Sequence, residues 1–142
     1  MNWYGERIVV LRHLTRATTY TFAVQANDFS GNTTMSNTVM LTTEASSDVT
    51  PPSVPTNVGI VGSNGCPEFF VGWTQATDDT DPQSLIEYEI YVDGVLSPLA
   101  VSAGVDQDFV YATGSGANTV TVQAVDQAGN TSQASNGVTE FC

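Results

Sequence analysis

The sequence has only three basic side chains, Arg7, Arg12 and Arg16, all close to its start. They balance three acids within residues 1–45, whereas residues 46–142 hold the other acids and account for the whole formal net charge of −12. A field of this sign repels phosphate backbones and anionic membrane surfaces. The composition therefore argues against nucleic acid as a partner, and we interpret the negative charge as favouring solubility.

Long apolar runs are also lacking, although 41% of the residues are hydrophobic. No stretch approaches the ~18 consecutive apolar residues that a membrane-spanning helix needs. The first residues, MNWYGERIVVL, do not show the basic, apolar and small-residue regions of a signal peptide. We therefore expect no membrane insertion, and we expect any export signal to lie upstream of this chain.

Catalytic patterns are absent too. The single histidine, His13, lies in LRHLT without a neighbouring carboxylate that would orient it. The sequence has no GxSxG or HExxH motif and no glycine loop for binding phosphate. These absences predict a protein that is not an enzyme.

One phrase occurs twice. VQANDFSGNTTMSN covers residues 24–37, and VQAVDQAGNTSQASN covers residues 122–136, so that Val24 and Val122 are 98 residues apart. A constant offset of this size indicates tandem copies of one small domain. The first copy comes so early that its module has room for only about half of its length.

Alternating apolar and polar residues predict β-strands throughout, and no helical period is sustained. In both copies the phrase predicts a hairpin, with Tyr20, Phe22 and Val24 on one face in the first copy. Before the second hairpin, five more strands are predicted at residues 56–62, 68–74, 86–94, 95–101 and 107–113. Seven short strands separated by turns are typical of an antiparallel β-sandwich. The predicted core residues are Trp73, Phe69 or Phe70, Tyr88, Ile90, Phe109, Val120 and Val122.

The sequence resembles fibronectin type III modules of the kind found in bacterial extracellular proteins. TPPSVPTNV resembles the start of the family's first strand, and Trp73 in VGWTQATDD resembles its second-strand tryptophan. LTRATTYTF resembles the family's tyrosine corner, with Leu14 and Tyr20 in the matching positions. The second copy departs from this pattern because Asn118 replaces the tyrosine, so its corner must close by another route, for which GSGAN offers turn residues.

The resemblance implies an all-β, immunoglobulin-like antiparallel sandwich, with one complete module preceded by the C-terminal half of another. We assign residues 1–45 to the last three strands of the first module, residues 46–55 to a proline-rich linker, and residues 56–142 to the complete module. An isolated half-module exposes an apolar sheet face, which is an association site. We expect the missing strands to lie upstream, and the alternative is that another subunit supplies them.

The only two cysteines are Cys66, before the second strand of the complete module, and Cys142, at the end of its last strand. In a sandwich of this family those two positions lie at the same end, so we predict a disulfide between them. The bridge would close a loop of 76 residues and contribute on the order of 4 kcal/mol in the chain-entropy model. It also predicts a location outside the cytoplasm, in the extracellular space or at the cell surface.

Three acids, Asp78, Asp79 and Asp81, lie close together in ATDDTDPQS. Oxygen-rich loops of this kind suit calcium, but the spacing of an EF-hand is missing. Aspartates before a turn often accept hydrogen bonds from their own backbone. We favour this capping role, so the expected cofactor content is none, with calcium as the alternative.

The fold alone does not define a function. We expect a non-catalytic spacer or presentation module pair in a larger secreted or surface protein, accessory to a polysaccharide-degrading enzyme. Its partners would be other domains of the same polypeptide or neighbouring subunits. One alternative is a subunit that assembles into a fibre or tube through its incomplete module. Another is an adhesion module that binds protein or carbohydrate through exposed aromatic residues, for which the candidates are Trp3, Tyr4, Tyr88, Tyr91 and Tyr111.

Overall fold

The computed structural model describes Val9, Leu11 and residues 14–142, with the backbone alone described for residues 98–102. The chain divides into two compact units, Met1–Ser47 and Asp48–Cys142. Regular structure in both is almost entirely β-strand, and one short 3-10 helix spans Gln83–Leu85. In the part of the chain that is described, no helix has the length and hydropathy to cross a membrane.

The described strands of the first unit form a hairpin in two parts. The outer part pairs β1 (Thr19–Phe22) with β4 (Val39–Thr42), and the inner part pairs β2 (Gln25–Asn27) with β3 (Thr33–Met35). Both pairs are antiparallel, so the hairpin predicted from the first copy of the phrase is present. The strand predicted over ERIVVLRHL lies outside the described residues, apart from Val9, Leu11 and Leu14.

The second unit contains seven strands in two antiparallel sheets. One sheet has three strands in the order β5-β6-β9, and the other has four in the order β11-β10-β7-β8. The predicted antiparallel sandwich is therefore confirmed. The strands are β5 (Thr56–Gly65), β6 (Glu68–Thr74), β7 (Glu87–Val92), β8 (Val95–Ala103), β9 (Gln107–Tyr111), β10 (Ala117–Val125) and β11 (Val138–Phe141).

Buried side chains from both sheets form one core. At its centre the ring of Trp73 on β6 lies 5.2 Å from the ring of Tyr88 on β7, measured between centroids. The Tyr88 hydroxyl accepts a hydrogen bond of 2.8 Å from the backbone N–H of Ala76, so its polar end is satisfied. Full burial of a valine, leucine, isoleucine or phenylalanine side chain stabilises the fold by roughly 1.5–3 kcal/mol. The core residues are Phe69, Val71, Trp73, Ala76, Ile86, Tyr88, Ile90, Val92, Val110, Val120, Val122 and Ala124.

Two positions of the predicted core differ in the structure. Of the adjacent pair on β6, Phe69 is buried in the core, whereas Phe70 is only half-buried. The placement of Phe109 in the core is wrong, because Val110 is fully buried and Phe109 is half-buried on the opposite face of β9. Successive side chains of a strand alternate between faces, and the continuous apolar run FVY leaves that alternation unspecified.

The segment predicted as a linker belongs largely to the second unit, whose first residue is Asp48. Pro52 and Pro55 are buried. The backbone N–H of Ser53 donates to the carbonyl oxygen of Thr77 at 2.8 Å. The proline-rich composition indicated a stiff extended segment, but it did not show that this segment packs against the sandwich.

The two copies close the corner before the repeated phrase by different means. In the first unit the Tyr20 hydroxyl accepts a hydrogen bond of 2.7 Å from the backbone N–H of Thr15, as the resemblance implied. In the second unit Asn118 occupies the equivalent position and is 1% exposed. Its Oδ1 accepts from the backbone N–H of Thr113 at 3.0 Å, and its Nδ2 donates to the carbonyl oxygens of Gly114 and Gly116 at 3.3 and 3.0 Å. One buried amide thus holds the GSGAN turn that the sequence suggested.

We expect Asn118→Ala to lower the free energy of unfolding by about 2 kcal/mol, because it removes a buried amide and leaves one backbone N–H and two carbonyl groups without this partner. Urea unfolding followed by tryptophan fluorescence measures the loss. Asn64→Ala is the matched control, since Asn64 is exposed and its side-chain amide donates a long hydrogen bond of 3.3 Å to Glu68. Equal stability of the two variants would contradict the role assigned to Asn118.

Candidate functional site

The repeated phrase forms the same clamped loop in both units. In the second unit Asp126 accepts hydrogen bonds from the backbone N–H and the side-chain amide of Asn130, at 2.7 and 2.6 Å. In the first unit Asp28 accepts the equivalent pair from Asn32, at 2.9 and 2.7 Å. The side-chain hydrogen bond from Asn32 is the largest of the effects that hold the pKa of Asp28 below its ordinary value. The phrase is therefore explained by loop geometry.

In the second unit the loop also holds the start of the sandwich. The Asn130 amide nitrogen lies 3.4 Å from the carbonyl oxygen of Asp48 and 3.4 Å from that of Thr50. Asn130 and Asn32 begin sequences of the N-glycosylation form, but the amide nitrogen of each is engaged in these clamps. Both asparagines therefore serve the geometry of their turns.

The acidic loop 78–81 is organised by hydrogen bonds to its own backbone. Asp78 Oδ1 accepts from the N–H groups of Thr80 and Asp81, at 3.0 and 2.9 Å. Asp81 Oδ2 accepts from the N–H of Gln127 at 2.7 Å, which ties this loop to the repeated one. These contacts are the capping role that the sequence favoured.

The same loop brings a different set of three carboxylates together than the sequence suggested. One oxygen each from Asp48, Asp78 and Asp81 lies within 4.8 Å of the others, whereas Asp79 is not in this group. Sequence reasoning missed Asp48 because it lies 30 residues before Asp78 and reaches the loop only through packing of the leading segment. Carboxylate oxygens are suitable calcium ligands, so calcium binding remains a prediction alongside capping.

The predicted disulfide between Cys66 and Cys142 is present, with Cα atoms 5.5 Å apart. It joins the turn between β5 and β6 to the residue after β11, and so links the two sheets covalently. The backbone N–H of Cys142 also donates to the carbonyl oxygen of Gly116 at 2.8 Å. This end of the second unit is therefore fixed by both a covalent bond and a hydrogen bond.

The residues considered for catalysis or sugar contact are distributed as follows. His13, Trp3 and Tyr4 lie outside the described residues. Tyr88 is buried, as described above. Tyr91 donates to Glu89 Oε2 at 3.0 Å, and burial, followed by the interaction with Glu89, raises its pKa. Only Tyr111 of the described candidates is well exposed, at 45%.

Tyr111 belongs to a row of aromatic rings that the sequence did not indicate. The rings of Phe109 and Tyr111 are 5.9 Å apart, and those of Phe70 and Phe109 are 6.3 Å apart. Phe70 and Phe109 are directly paired across β6 and β9. We call Phe70, Phe109 and Tyr111 the aromatic strip. The sequence did not indicate this strip because Phe109 was predicted to lie in the core.

A second apolar surface lies on the first unit. A groove of about 700 Å³ is lined mainly by aliphatic and aromatic side chains. Val24, at its edge, is 70% exposed, and Leu41 is 62% exposed. Exposed apolar area of this kind is typical of interaction surfaces and ligand-binding grooves. The groove is lined by Val9, Leu11, Leu14, Phe22, Ala23, Val24, Gln25, Val39 and Leu41.

Comparison with known proteins gives two curated relatives. The chain is 32% identical over 133 residues to Chitinase A1 of Niallia circulans, matching 88% of this chain and 18% of the relative. It is 32% identical over 127 residues to Exoglucanase B of Cellulomonas fimi, matching 88% of this chain and 11% of the relative. The chain thus spans less than a fifth of the length of either protein. No protein-family model matches the sequence.

Solved structures similar to this chain share little sequence identity with it. The spore cortex lytic enzyme SleM of Clostridium perfringens superposes with a TM-score of 0.51 and 18% identity, over 65% of this chain and 29% of that one. The fibronectin(III)-like modules of CbhA from Clostridium thermocellum give a TM-score of 0.48 and 17% identity, over 88% of this chain and 62% of theirs.

The strand order, the tyrosine corner of the first unit and the tryptophan on β6 together define a class of protein. The chain has the fibronectin type III fold, and the resemblance inferred from its sequence is confirmed. The likeness to solved structures establishes this fold and no particular activity.

One further acid has a defined structural role. Asp93 and Gly94 form the two-residue turn between β7 and β8, with φ values of 51° and 79°. Asp93 Oδ2 accepts from the Thr113 hydroxyl at 2.6 Å, and Oδ1 accepts from the backbone N–H of Thr119 at 2.8 Å. These two hydrogen bonds hold the pKa of Asp93 below its ordinary value of 3.8, and the bond from Thr113 has the larger effect.

A carboxylate whose pKa is lower in the folded state stabilises the fold above its unfolded pKa, and this contribution is lost as the pH falls through its folded pKa. We therefore expect Asp93→Asn to be less stable than the parent at neutral pH, and the difference to shrink below pH 3.8. Urea unfolding at a series of pH values measures it. Thr113→Val should reproduce part of the effect. A stability difference between the parent and Asp93→Asn that stays constant across the pH series would contradict its assignment to the ionised Asp93 carboxylate.

For the acidic loop, we expect Asp78→Ala to lower the free energy of unfolding by about 1 kcal/mol, since two backbone N–H groups lose their acceptor. Thermal unfolding should show the same loss in EDTA and in millimolar calcium. Asp79→Ala is the control, because the side chain of Asp79 accepts only a long hydrogen bond of 3.3 Å from the Thr80 hydroxyl. If calcium stabilised the parent but not Asp78→Ala, the carboxylates would instead be assigned to ion binding.

Proposed function

We propose that this chain is a non-catalytic part of a larger extracellular polysaccharide-degrading enzyme, in which it spaces or presents neighbouring domains. The main support is the similarity to Chitinase A1 and Exoglucanase B, which extends over most of this chain but a small part of each relative. The two relatives are named for different substrates. A segment common to both is better explained by a task that they share than by catalysis on either polymer.

The disulfide supports a location outside the cytoplasm. Bridges such as Cys66–Cys142 persist in oxidising compartments and are rare in the cytosol. The bridge also fixes one end of the sandwich, which suits a module that has to remain folded outside the cell. An export signal elsewhere in the polypeptide would accompany this role.

The acidic residues support a structural role for the loops. Asp28, Asp78 and Asp126 each accept hydrogen bonds from the backbone of their own turns, and Asp93 accepts one from the backbone of β10. These carboxylates are therefore engaged in holding the loops. The proposal assigns no catalytic residue.

A second candidate function rests on the groove of the first unit. Besides Val24 and Leu41, the neighbouring Val39 of β4 also lines this groove and is 51% exposed. A neighbouring chain that added strands over this face would make the protein a building block of a fibre or tube. The accessory role requires instead that another part of the same polypeptide covers the face.

The accessory role is tested by inserting the full chain between a chitinase or glucanase catalytic domain and a polysaccharide-binding module. We expect hydrolysis of the insoluble polymer to rise roughly two- to tenfold through effective concentration or spacing, with no gain on soluble oligosaccharides. The same two domains joined directly, without this chain, are the control.

Two results would contradict the proposal. Equal rates with the directly joined domains would remove the accessory role. Growth of the isolated chain into open-ended polymers, measured by light scattering at micromolar concentration, would support the second candidate instead.

A further inference from the structure

The aromatic strip lies on the solvent side of the three-stranded sheet. Phe69, Val71 and Val110 point into the core, so the alternate residues of β6 and β9 point away from it. Phe70 and Phe109 are half-buried and Tyr111 is exposed. The strip therefore contributes little to the core, and its partly exposed aromatic surface requires another explanation.

The apolar surface continues past the strip onto β5. Val61 is 59% exposed, and its Cγ1 lies only 2.7 Å from the point that a Cβ on Gly72 would occupy. Any larger residue at position 72 would displace Val61. Because β6 has glycine there, Val61 lies over Gly72, on the face that Phe70 shares by alternation, and extends the apolar surface by one residue.

Polar groups border the strip at the Tyr111 end. Glu68 is paired with Tyr111 across β6 and β9. The Glu68 carboxylate accepts a hydrogen bond of 3.3 Å from the amide of Asn64. An aromatic ring beside a carboxylate and an amide offers a flat apolar face together with hydrogen-bond acceptors and donors. A pyranose ring has the complementary surfaces, because its C–H groups form an apolar face and its hydroxyl groups lie at the rim.

Charge narrows the choice of partner. Residues 46–142 contain no lysine or arginine and carry the whole net charge of −12. This field repels acidic polysaccharides, nucleic acids and anionic membranes. A neutral polysaccharide has no such penalty and meets the polar border as a hydrogen-bonding partner.

The orientation of the rings limits how the polymer is held. The planes of Phe109 and Tyr111 are at 89° to each other, and those of Phe70 and Phe109 are at 57°. Rings at these angles cannot form a common flat platform. The strip therefore suits one or two sugar rings of a separate chain better than the flat surface of a crystalline polymer.

We propose that the aromatic strip, with Glu68 and Asn64 at its border, is a binding site for single chains of a neutral polysaccharide, and that the ring of Tyr111 packs against a pyranose face. This rests on the proposed accessory function, which it deepens by naming the contact surface. It is separable from that function, because a spacer can act without touching the polymer.

The test is depletion of the full chain from solution by amorphous cellulose and by colloidal chitin, in parallel with crystalline cellulose. We expect binding to at least one amorphous polymer, and weaker binding to the crystalline one. Tyr111→Ala should weaken binding about three- to tenfold, the share expected for one ring contact. Tyr111→Phe should retain most of the binding, because the ring face is kept.

Phe141→Ala is the matched control, because Phe141 is an aromatic residue on β11, in the other sheet, and is 73% exposed. It should bind like the parent. Three outcomes would overturn the site. The first is that the parent binds none of these polymers, the second is that Tyr111→Ala and Phe141→Ala lose binding equally, and the third is that the parent forms an oligomer that is dissociated by Tyr111→Ala. The last would assign the strip to a second copy of the chain. None of the three alters the expected gain of the joined catalytic domain through spacing.

Discussion

The two sheets of the second unit and the β1–β4 pair of the first unit each have an apolar face that must be covered, and this constraint orders the rest of the described structure. In the second unit the two sheets cover each other, and Val122 on β10 has no exposed surface. Val24 is its counterpart in the first copy of the repeated phrase, 98 residues earlier, and remains 70% exposed among the described residues. The local sequence is nearly the same in the two copies. The difference in burial therefore comes from what lies opposite the strand, which local sequence does not encode.

The sequence predicted those features that depend on short-range patterns. Strict alternation in NTVTVQAV identified the buried face of β10, and the tyrosine corner followed from LTRATTYTF, with Leu14 and Tyr20 in the positions of the family. The disulfide required only the order of strands in the family. Features that depend on packing between distant segments were missed. The run FVY gave no alternation, so Phe109 was placed on the wrong face, and Asp48 joined the acidic loop only because residues 48–55 pack against the sandwich.

The scarcity of basic residues explains how the loops are built. With no lysine or arginine after Arg16, the carboxylates of the second unit cannot be balanced by salt bridges within it. They are instead stabilised by N–H and O–H donors, as at Asp93 and Asp126. Such hydrogen bonds to a charged acceptor are stronger than those between neutral groups. The unit therefore carries a large negative charge while its turns are held by hydrogen bonds.

This arrangement separates the parts that maintain the fold from the parts available for binding. The core, the bridge and the clamped loops use the inner faces and the turns, where a substitution changes stability. The outer face of the three-stranded sheet does not contribute to the core. Exposed aromatic residues there add little to the stability of the fold and are available for contact with a partner. Antiparallel sheets ordinarily present polar residues to water on this side. The aromatic strip departs from that rule in a unit that is otherwise strongly acidic, and this contrast, more than the presence of any one ring, is the reason to assign the face to a neutral partner.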